Sequence, residues 1–221
     1  MQEEIFEGDR ALHYDRNIRK WFAAYDTFLD ILSPVLRAGL TQKVQPSVLV
    51  VGSGSGNEIY NLAQLNPSWT LMGIDPSPEM NTLARKKLQL IKNVKIVEGT
   101  IEDIAGEFDA AICLLVSHFL EVGSKQALFA GIEKNLKPGA MLIHADIIGD
   151  KHNPTEDFKL YCEVQRQKID PEIVEQGLNH IINDVNYIPE AQLLDLVRSS
   201  GFKKTTKIFQ WLVYGGWISE K

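Results

Sequence analysis

Short apolar runs alternate with helix-like segments between residues 44 and 146. The run SVLVV at 47–51 is apolar after its first residue, which is typical of a strand covered on both faces. The next segment, NEIYNLAQL, spaces its apolar residues as a helix does and stops at Asn66-Pro67. Further strands are predicted from the apolar runs at 70–75, 94–97, 110–116 and 140–146. Because helical segments separate these strands, we expect right-handed crossovers and a parallel, doubly wound α/β sheet.

Two more helices are predicted between these strands from the residues at their ends. Ser77-Pro78 supplies a capping hydroxyl and a preset first residue for a helix that continues to Leu88. Ser124 begins a second helix, which we expect Lys137-Pro138-Gly139 to close.

The segments on either side of this core predict further helices and a pair of strands. Residues 15–32 carry apolar and aromatic side chains at helical spacing, so one N-terminal helix is expected before the sheet. Residues 153–183 predict two helices inserted after the fifth strand, and PEAQLLDLVRSSGF predicts another that ends at Gly201. The stretches 204–211 and 213–221 predict two closing strands.

Composition and charge narrow the class of protein. The chain has 221 residues with a net charge of −6, and its densest basic run, ARKKLQ, lies in a predicted helix, so we expect no nucleic-acid partner. Two distant cysteines and the lack of a long apolar run predict a cytoplasmic protein without a membrane partner. No metal is expected, because the histidines lack ligand spacing with acidic partners; these are His118, His144, His152 and His180.

Three glycines follow the first strand on alternate positions, at 52, 54 and 56. Glycine there allows a tight turn into the helix and brings backbone N–H groups next to a ligand. The usual dinucleotide pattern would place its third glycine at Asn57, so the loop alone is compatible with a ligand-free turn. Asp75 ends the second strand about twenty residues later, where a carboxylate accepts both ribose hydroxyls of a nucleoside. Together they predict a nucleoside site.

Five segments in this order resemble the successive motifs of class I S-adenosylmethionine-dependent methyltransferases. They are VLVVGSGSGNE, GIDPSPEM, VEGTIEDI, FDAAICLLVSHFLE and LKPGAMLIHAD. The flanks HYDRNIRKWFAAYDTFLDIL and FQWLVYGGWISEK are similar to small-molecule members, in particular carboxy-S-adenosylmethionine synthases and their relatives. The resemblance implies a seven-stranded, mostly parallel sheet with an antiparallel last strand, a helical lid, and S-adenosylmethionine as the cofactor.

The resemblance also implies one domain, 1–221, with four parts. These are an N-terminal helical cap, a cofactor-binding core, a helical lid, and a C-terminal helix with a strand pair, at 1–40, 44–146, 150–187 and 188–221.

The same resemblance assigns the cofactor-binding residues. By position, the methionine part would meet Gly52, Ser53 and Gly54, and the ribose would meet Asp75. The remaining positions would contact the adenine, the sulfonium or the closing N-terminal segment; they are Pro76, Met80, Thr100, Ile101, Glu102, Leu114, Tyr14 and Arg19. Two positions depart from the family: Val50 replaces an acidic residue near the methionine amino group, and Thr100 replaces an aspartate near the adenine.

Candidate catalytic residues lie at the ends of the fourth and fifth strands. His118 is placed to orient or deprotonate an acceptor, although a capping or packing histidine has the same pattern. Asp146 is placed to bind an ammonium group or act as a base, and a solvated loop carboxylate would look alike. We therefore predict an enzyme that methylates an O, N or S nucleophile of a small molecule, as a monomer or homodimer.

Other uses of the same fold stay open at this point. Carboxylation of the sulfonium methyl would need a cation, and Leu196 stands where those synthases carry an arginine, unless Arg198 or Arg19 substitutes. Intramolecular attack by the cofactor's amino group would release methylthioadenosine. A cofactor-binding protein without catalysis and a nicotinamide-dependent oxidoreductase are further alternatives, and the GSGSG loop disfavours the last.

Overall fold

The computed structural model describes residues 6–151 and 153–221. Its sheet has seven strands: β1 Ser47–Val51, β2 Thr70–Asp75, β3 Val94–Glu98, β4 Phe108–Leu114, β5 Leu136–Ile147, β6 Lys204–Trp211 and β7 Tyr214–Glu220. Their spatial order is β3-β2-β1-β4-β5-β7-β6. The first five strands pair in parallel, and β7 runs antiparallel to both β5 and β6. The predicted α/β fold with an antiparallel last strand is confirmed.

Nine α-helices are described around the sheet. They are α1 Gly8–Leu12, α2 Tyr14–Trp21, α3 Tyr25–Gly39, α4 Asn57–Leu65, α5 Pro78–Leu88, α6 Val122–Lys134, α7 Glu156–Lys168, α8 Pro171–Asn183 and α9 Glu190–Ser199. One-turn 3₁₀ helices follow β3 and β4, at Ile101–Asp103 and Ser117–Phe119.

Alternate residues of the central strands face different helical layers, which explains their unbroken apolar runs. Val48 and Val50 of β1 pack in a core with the lid and N-terminal helices. Leu49 and Val51 pack in a second core, on the side of α6 and α9.

The N-terminal segment differs from the single helix predicted over 15–32. It forms separate helices, α2 and α3, with a break at 22–24. The break lets Phe22 turn inward, where it is 1% exposed and stacks on Tyr214 at 4.2 Å between ring centroids. Burying this ring against the sheet outweighs the continuation of one helix, because large aromatic side chains dominate core energetics.

The end of α6 also differs from the prediction. The helix stops at Lys134, and Lys137-Pro138-Gly139 belong to β5 instead of closing the helix. Leu136 is buried and pairs with Phe108, after which the register shifts before Met141 pairs with Ala110. The bulge accommodates Pro138, which cannot donate a ladder hydrogen bond.

The two helices predicted within 153–183 are confirmed as α7 and α8. The four-part division of the chain stays a prediction. Its residues 1–5, and His152 among the histidines from which no metal site was expected, lie outside the described residues. Within the described part of the chain, every helix is too short or too polar to cross a bilayer.

Candidate active site

A cavity of about 330 Å³ opens at the carboxyl ends of β1, β2 and β4. Open parallel sheets bind ligands at this edge, where the strand order reverses. Most predicted site residues line the cavity: Tyr14, Gly52, Gly54, Asp75, Pro76, Met80, Thr100, Ile101, Glu102, Leu114 and His118. Three others, Arg19, Ser53 and Asp146, are not part of its lining. Their roles stay predictions.

The glycine loop exposes backbone to the cavity because its turn needs left-handed residues. Gly52 has φ of 66° and Gly54 has φ of 49°. A Cβ at Gly52 would lie 2.3 Å from Val116 Cγ2, so only glycine fits there. Ser53 is buried beneath the loop and its Oγ has no hydrogen-bond partner among the described residues.

Asp75 is held at the end of β2 by the loop itself. Its Oδ2 accepts a hydrogen bond from the Gly54 N–H at 2.8 Å, and its Oδ1 accepts one from the Ser77 N–H at 2.9 Å. Burial raises the pKa of this carboxyl, although these two hydrogen bonds oppose the rise. The carboxylate is therefore fixed in place and faces a cavity, as a ribose acceptor requires.

The turn after β3 borders the cavity with Thr100, Ile101 and Glu102. Thr100 closes a capping box in which its N–H donates to Asp103 Oδ2 at 2.8 Å. Its hydroxyl lies 3.4 Å from the same carboxylate oxygen. Thr100, which stands where the family often has an aspartate, therefore stabilises the turn after β3.

His118 and Asp146 form a buried pair beside the cavity. Nδ1 of His118 bonds to Asp146 Oδ1, and Ser117 Oγ donates to Asp146 Oδ2. Backbone N–H groups of His118 and Ile147 donate to the same carboxylate at 3.1 and 2.9 Å. Burial alone would raise the pKa of Asp146, but His118 and Ser117 hold it below its ordinary value. Asp146 thus supports His118 from behind and does not face the cavity as the sequence suggested.

A fully buried lysine completes this cluster, and the sequence analysis did not identify it. Lys125 of α6 is 0% exposed and its Nζ donates to the Ser117 carbonyl. The signal available in the sequence was weak, since a lysine in the first turn of an amphipathic helix is ordinarily solvated.

The N-terminal cap covers the glycine loop through Asp15 of α2. Its carboxylate accepts hydrogen bonds from Ser55 Oγ and from Asn57 Nδ2, the latter at 2.9 Å, and pairs with Lys87 at 2.8 Å. Tyr14, the preceding residue, lines the cavity. Arg19 points elsewhere, to Asp26, at 2.8 Å.

Aromatic rings from distant parts of the chain form the rest of the cover. Phe6 packs edge-on against both Tyr14 and Phe119, with 5.5 Å between ring centroids in each case. Tyr214 of β7 also lines the cavity. The sequence analysis missed Phe6, Phe119 and Tyr214, because no local pattern links residues this far apart.

Val50, which replaces the acidic residue of the family, is a buried strand residue that pairs with Gly73 and Ile112. Glu58, in the first turn of α4, carries a buried carboxylate that accepts a hydrogen bond from Tyr25 Oη at 2.9 Å. Burial raises the pKa of Glu58.

Comparisons with known proteins agree with this geometry. The family described as "Methyltransferase domain" matches residues 48–139. The carboxy-S-adenosyl-L-methionine synthase of Campylobacter jejuni subsp. doylei is 24% identical over 246 aligned positions that cover all of both chains.

Solved structures show the same fold. Magnesium protoporphyrin IX methyltransferase from Synechocystis, with bound SAH, superposes with a TM-score of 0.66 at 16% identity, covering 95% of this chain and 94% of that one. The S-adenosylmethionine-dependent methyltransferase SibL gives a TM-score of 0.63 at 15% identity over 91% of this chain, which spans 57% of SibL. The sheet order and these neighbours show the fold of class I methyltransferases, and residues 48–139 match the methyltransferase-domain family that the motifs resemble.

Proposed function

We propose that the chain transfers a methyl group from S-adenosylmethionine to an O, N or S nucleophile of a small molecule. The observation that carries this proposal is one cavity with two different sides. One side presents the glycine loop and Asp75, and the other presents His118 backed by Asp146.

The cofactor side fits an adenosyl group on the chemistry of its donors. Gly52 and Gly54 leave room for close approach to backbone, Asp75 offers carboxylate oxygens to ribose hydroxyls, and Met80 and Ile101 offer apolar contact to a base. When bound, S-adenosylmethionine supplies a methyl group already activated by its sulfonium.

The chain's own residues supply orientation, water exclusion and a place for a proton. Asp146 binds Nδ1 of His118, which leaves Nε2 as the ring nitrogen available to accept a proton from the acceptor. Phe6, Tyr14 and Phe119 cover the cavity and restrict water. Burial raises the pKa of Tyr14 far above its usual value, so its hydroxyl stays neutral.

The acceptor class and the cellular setting are part of the proposal. The cover is built from short N-terminal helices, and the net charge of −6 does not favour a polyanionic acceptor, so a small molecule is supported. Cys113 and Cys162 are both free and buried, as in a protein of the reducing cytoplasm. We propose a monomer or homodimer.

A second candidate function is formation of a carboxylated S-adenosylmethionine. It is favoured by the whole-length similarity to a carboxy-S-adenosyl-L-methionine synthase. The cations that would pair with the extra carboxylate are engaged elsewhere: Arg198 lies exposed beside Asp195 at 2.7 Å, and Arg19 pairs with Asp26. Leu196, on the same helix as Arg198, is not part of the cavity lining. Methyl transfer is therefore the better-supported function.

Product analysis by mass spectrometry tests the proposal. The purified chain is incubated with S-adenosylmethionine alone and then with panels of small amines, hydroxyls and thiols. We expect the cofactor to stay intact alone, and one acceptor to gain a methyl group with an equal amount of S-adenosylhomocysteine. Methylthioadenosine formed without an acceptor, above a protein-free control, would overturn methyl transfer in favour of cofactor cyclisation. An intact cofactor with every acceptor would support a binding protein.

A further inference from the structure

Lys125 is an unusual residue in this fold, since lysines are almost never fully buried without a charged partner. Its described hydrogen bond goes to a neutral group, the Ser117 carbonyl. Burying an ammonium is costly unless an opposite charge lies close by, so the fold must offer one. The position of Lys125 in the first turn of α6 gives no such charge by itself, because a helix N-terminus is already electropositive.

The opposite charge belongs to Asp146, and Ser117 lies between the two side chains and bonds to both. The Ser117 carbonyl accepts from Lys125, while the Ser117 hydroxyl donates to Asp146 Oδ2. The attraction of Asp146 acts on Lys125 directly, although burial prevails and lowers the pKa of Lys125 to about 8. Lys151 contributes in the same direction as burial, by repulsion.

The other titratable groups that feel Asp146 do not balance its charge. Burial raises the pKa of the Cys113 thiol and of the Tyr214 hydroxyl, so both are neutral at pH 7. Burial lowers the pKa of His144 to about 4, so it is neutral as well. The buried carboxylate therefore faces two groups that can carry a compensating proton, His118 on the cavity side and Lys125 behind.

We propose that Lys125 is a positioning residue that balances the charge of Asp146 through Ser117. It thereby weakens the attraction of that carboxylate for a proton on the His118 ring, whose Nε2 is left to accept a proton from the acceptor. Without that ammonium, the buried carboxylate would draw a proton onto His118 and hold it as an ion pair. A ring that is already protonated cannot act as a general base. This inference rests on the function proposed above, in which His118 accepts a proton from the acceptor.

The test is an NMR titration of histidine side chains in the full chain, with ¹⁵N-labelled imidazole rings and no ligand. Lys125→Met removes the charge and keeps most of the volume, and Lys125→Arg keeps the charge. Lys134→Met is the matched control, since Lys134 lies exposed on the same helix. We expect Lys125→Met to move the titration midpoint of His118 upward by about one pH unit, a tenfold rise in proton affinity. Lys125→Arg and Lys134→Met should move it much less.

A lysine that only fills space would give a different result. Lys125→Met would then change the melting temperature and leave the His118 midpoint where it is in the wild type, which would overturn the proposal. If Lys125→Met does not fold, the wild-type titration still decides the matter. The His118 signals should show a second, smaller change near the pH at which Lys125 loses its proton, and a single-step curve would contradict the coupling.

This experiment separates the two proposals, because it needs neither cofactor nor acceptor. A shifted midpoint in a chain that methylates nothing would overturn the proposed function and leave the role of Lys125 as a charge balance. A chain that methylates an acceptor but shows no shift would overturn only the role of Lys125.

Discussion

The two sides of the cavity are built in different ways. The cofactor side consists of consecutive backbone, since the glycine loop follows β1 and Asp75 ends the neighbouring β2. The acceptor side consists of side chains from remote segments, such as Phe6, His118 and Tyr214. A binding site formed by the backbone of a loop can therefore be predicted from a short stretch of sequence. A site formed by the packing of distant side chains mostly cannot.

The two sides also differ in how they respond to substitution. On the cofactor side, a change alters the shape or the hydrogen bonds of one loop, so its effect should appear in binding. On the acceptor side, a change alters the charge balance among His118, Asp146 and Lys125, so its effect should appear in turnover and in pH dependence. The predictions below test this separation.

Asp146→Asn should separate the two sides most strongly. The amide cannot hold the Nδ1–H tautomer of His118 as the carboxylate does, so kcat should fall by about 100- to 10,000-fold with the acceptor found in the screen. The Kd for S-adenosylmethionine should stay within about threefold of the wild type, because Asp146 does not line the cavity. Calorimetry and initial rates measure both values. An equal loss in both would mean that the sides are not separate.

Asp75→Ala should give the reverse pattern. Hydrogen bonds to charged groups contribute about 1.5–3 kcal/mol each, so losing two ribose contacts should weaken cofactor binding by about 100- to 10,000-fold. The variant also loses acceptors for Gly54 and Ser77, so its melting temperature must be measured alongside. Asp195→Asn, on the outer surface of α9, is the control and should bind normally. Unchanged binding by a folded Asp75→Ala would contradict the ribose assignment.

Acid should destabilise the fold through His144, which is buried away from the cavity lining. Burial against Trp217 and Phe129 lowers the pKa of His144 to about 4, so the unfolded chain takes up a proton near pH 6.5 that the folded chain resists. Stability present above pH 6.5 should therefore be lost as the pH falls towards 4, by about 3 kcal/mol in the free energy of unfolding. Urea unfolding at several pH values measures this loss. His144→Gln should flatten the profile, and an unchanged profile would assign the loss to other groups.

Gly52→Ala should have a smaller effect, confined to the cofactor side. Its φ of 66° and the 2.3 Å approach to Val116 should lower the free energy of unfolding by about 2 kcal/mol. Gly123→Ala is the matched control, because a Cβ there meets nothing within 4 Å and alanine favours a helix by up to about 1 kcal/mol. Thermal unfolding compares the two. Equal stabilities would show that the loop does not need the left-handed turn.

The sequence predicted the sheet and the cofactor side closely because both depend on local patterns. The strands β1 and β2 agree residue for residue, since each is an apolar run with a clear end. Predictions failed where tertiary packing competes with local preference. Phe22 breaks the expected N-terminal helix to stack on Tyr214, and Pro138 enters β5 through a bulge. Neither partner is visible from the residues around it.

Asp146 and Lys125 illustrate why the acceptor side was only partly predictable. The strand-end rule placed Asp146 near the site, but whether its carboxylate faces the cavity or supports His118 depends on the turn after β4. Lys125 has the sequence context of a solvated helix residue, and only the packing of α6 against that turn buries it. A residue that affects the site only by contacting another site residue can therefore be identified from the structure but not from the sequence.

The most direct test of the two-sided cavity is a crystal structure with S-adenosylhomocysteine bound. We predict the ribose hydroxyls within hydrogen-bond distance of Asp75, the adenine beside Met80 and Ile101, and the sulfur directed towards the side that carries His118. A nucleoside bound outside this cavity, or with its ribose turned away from Asp75, would contradict the account.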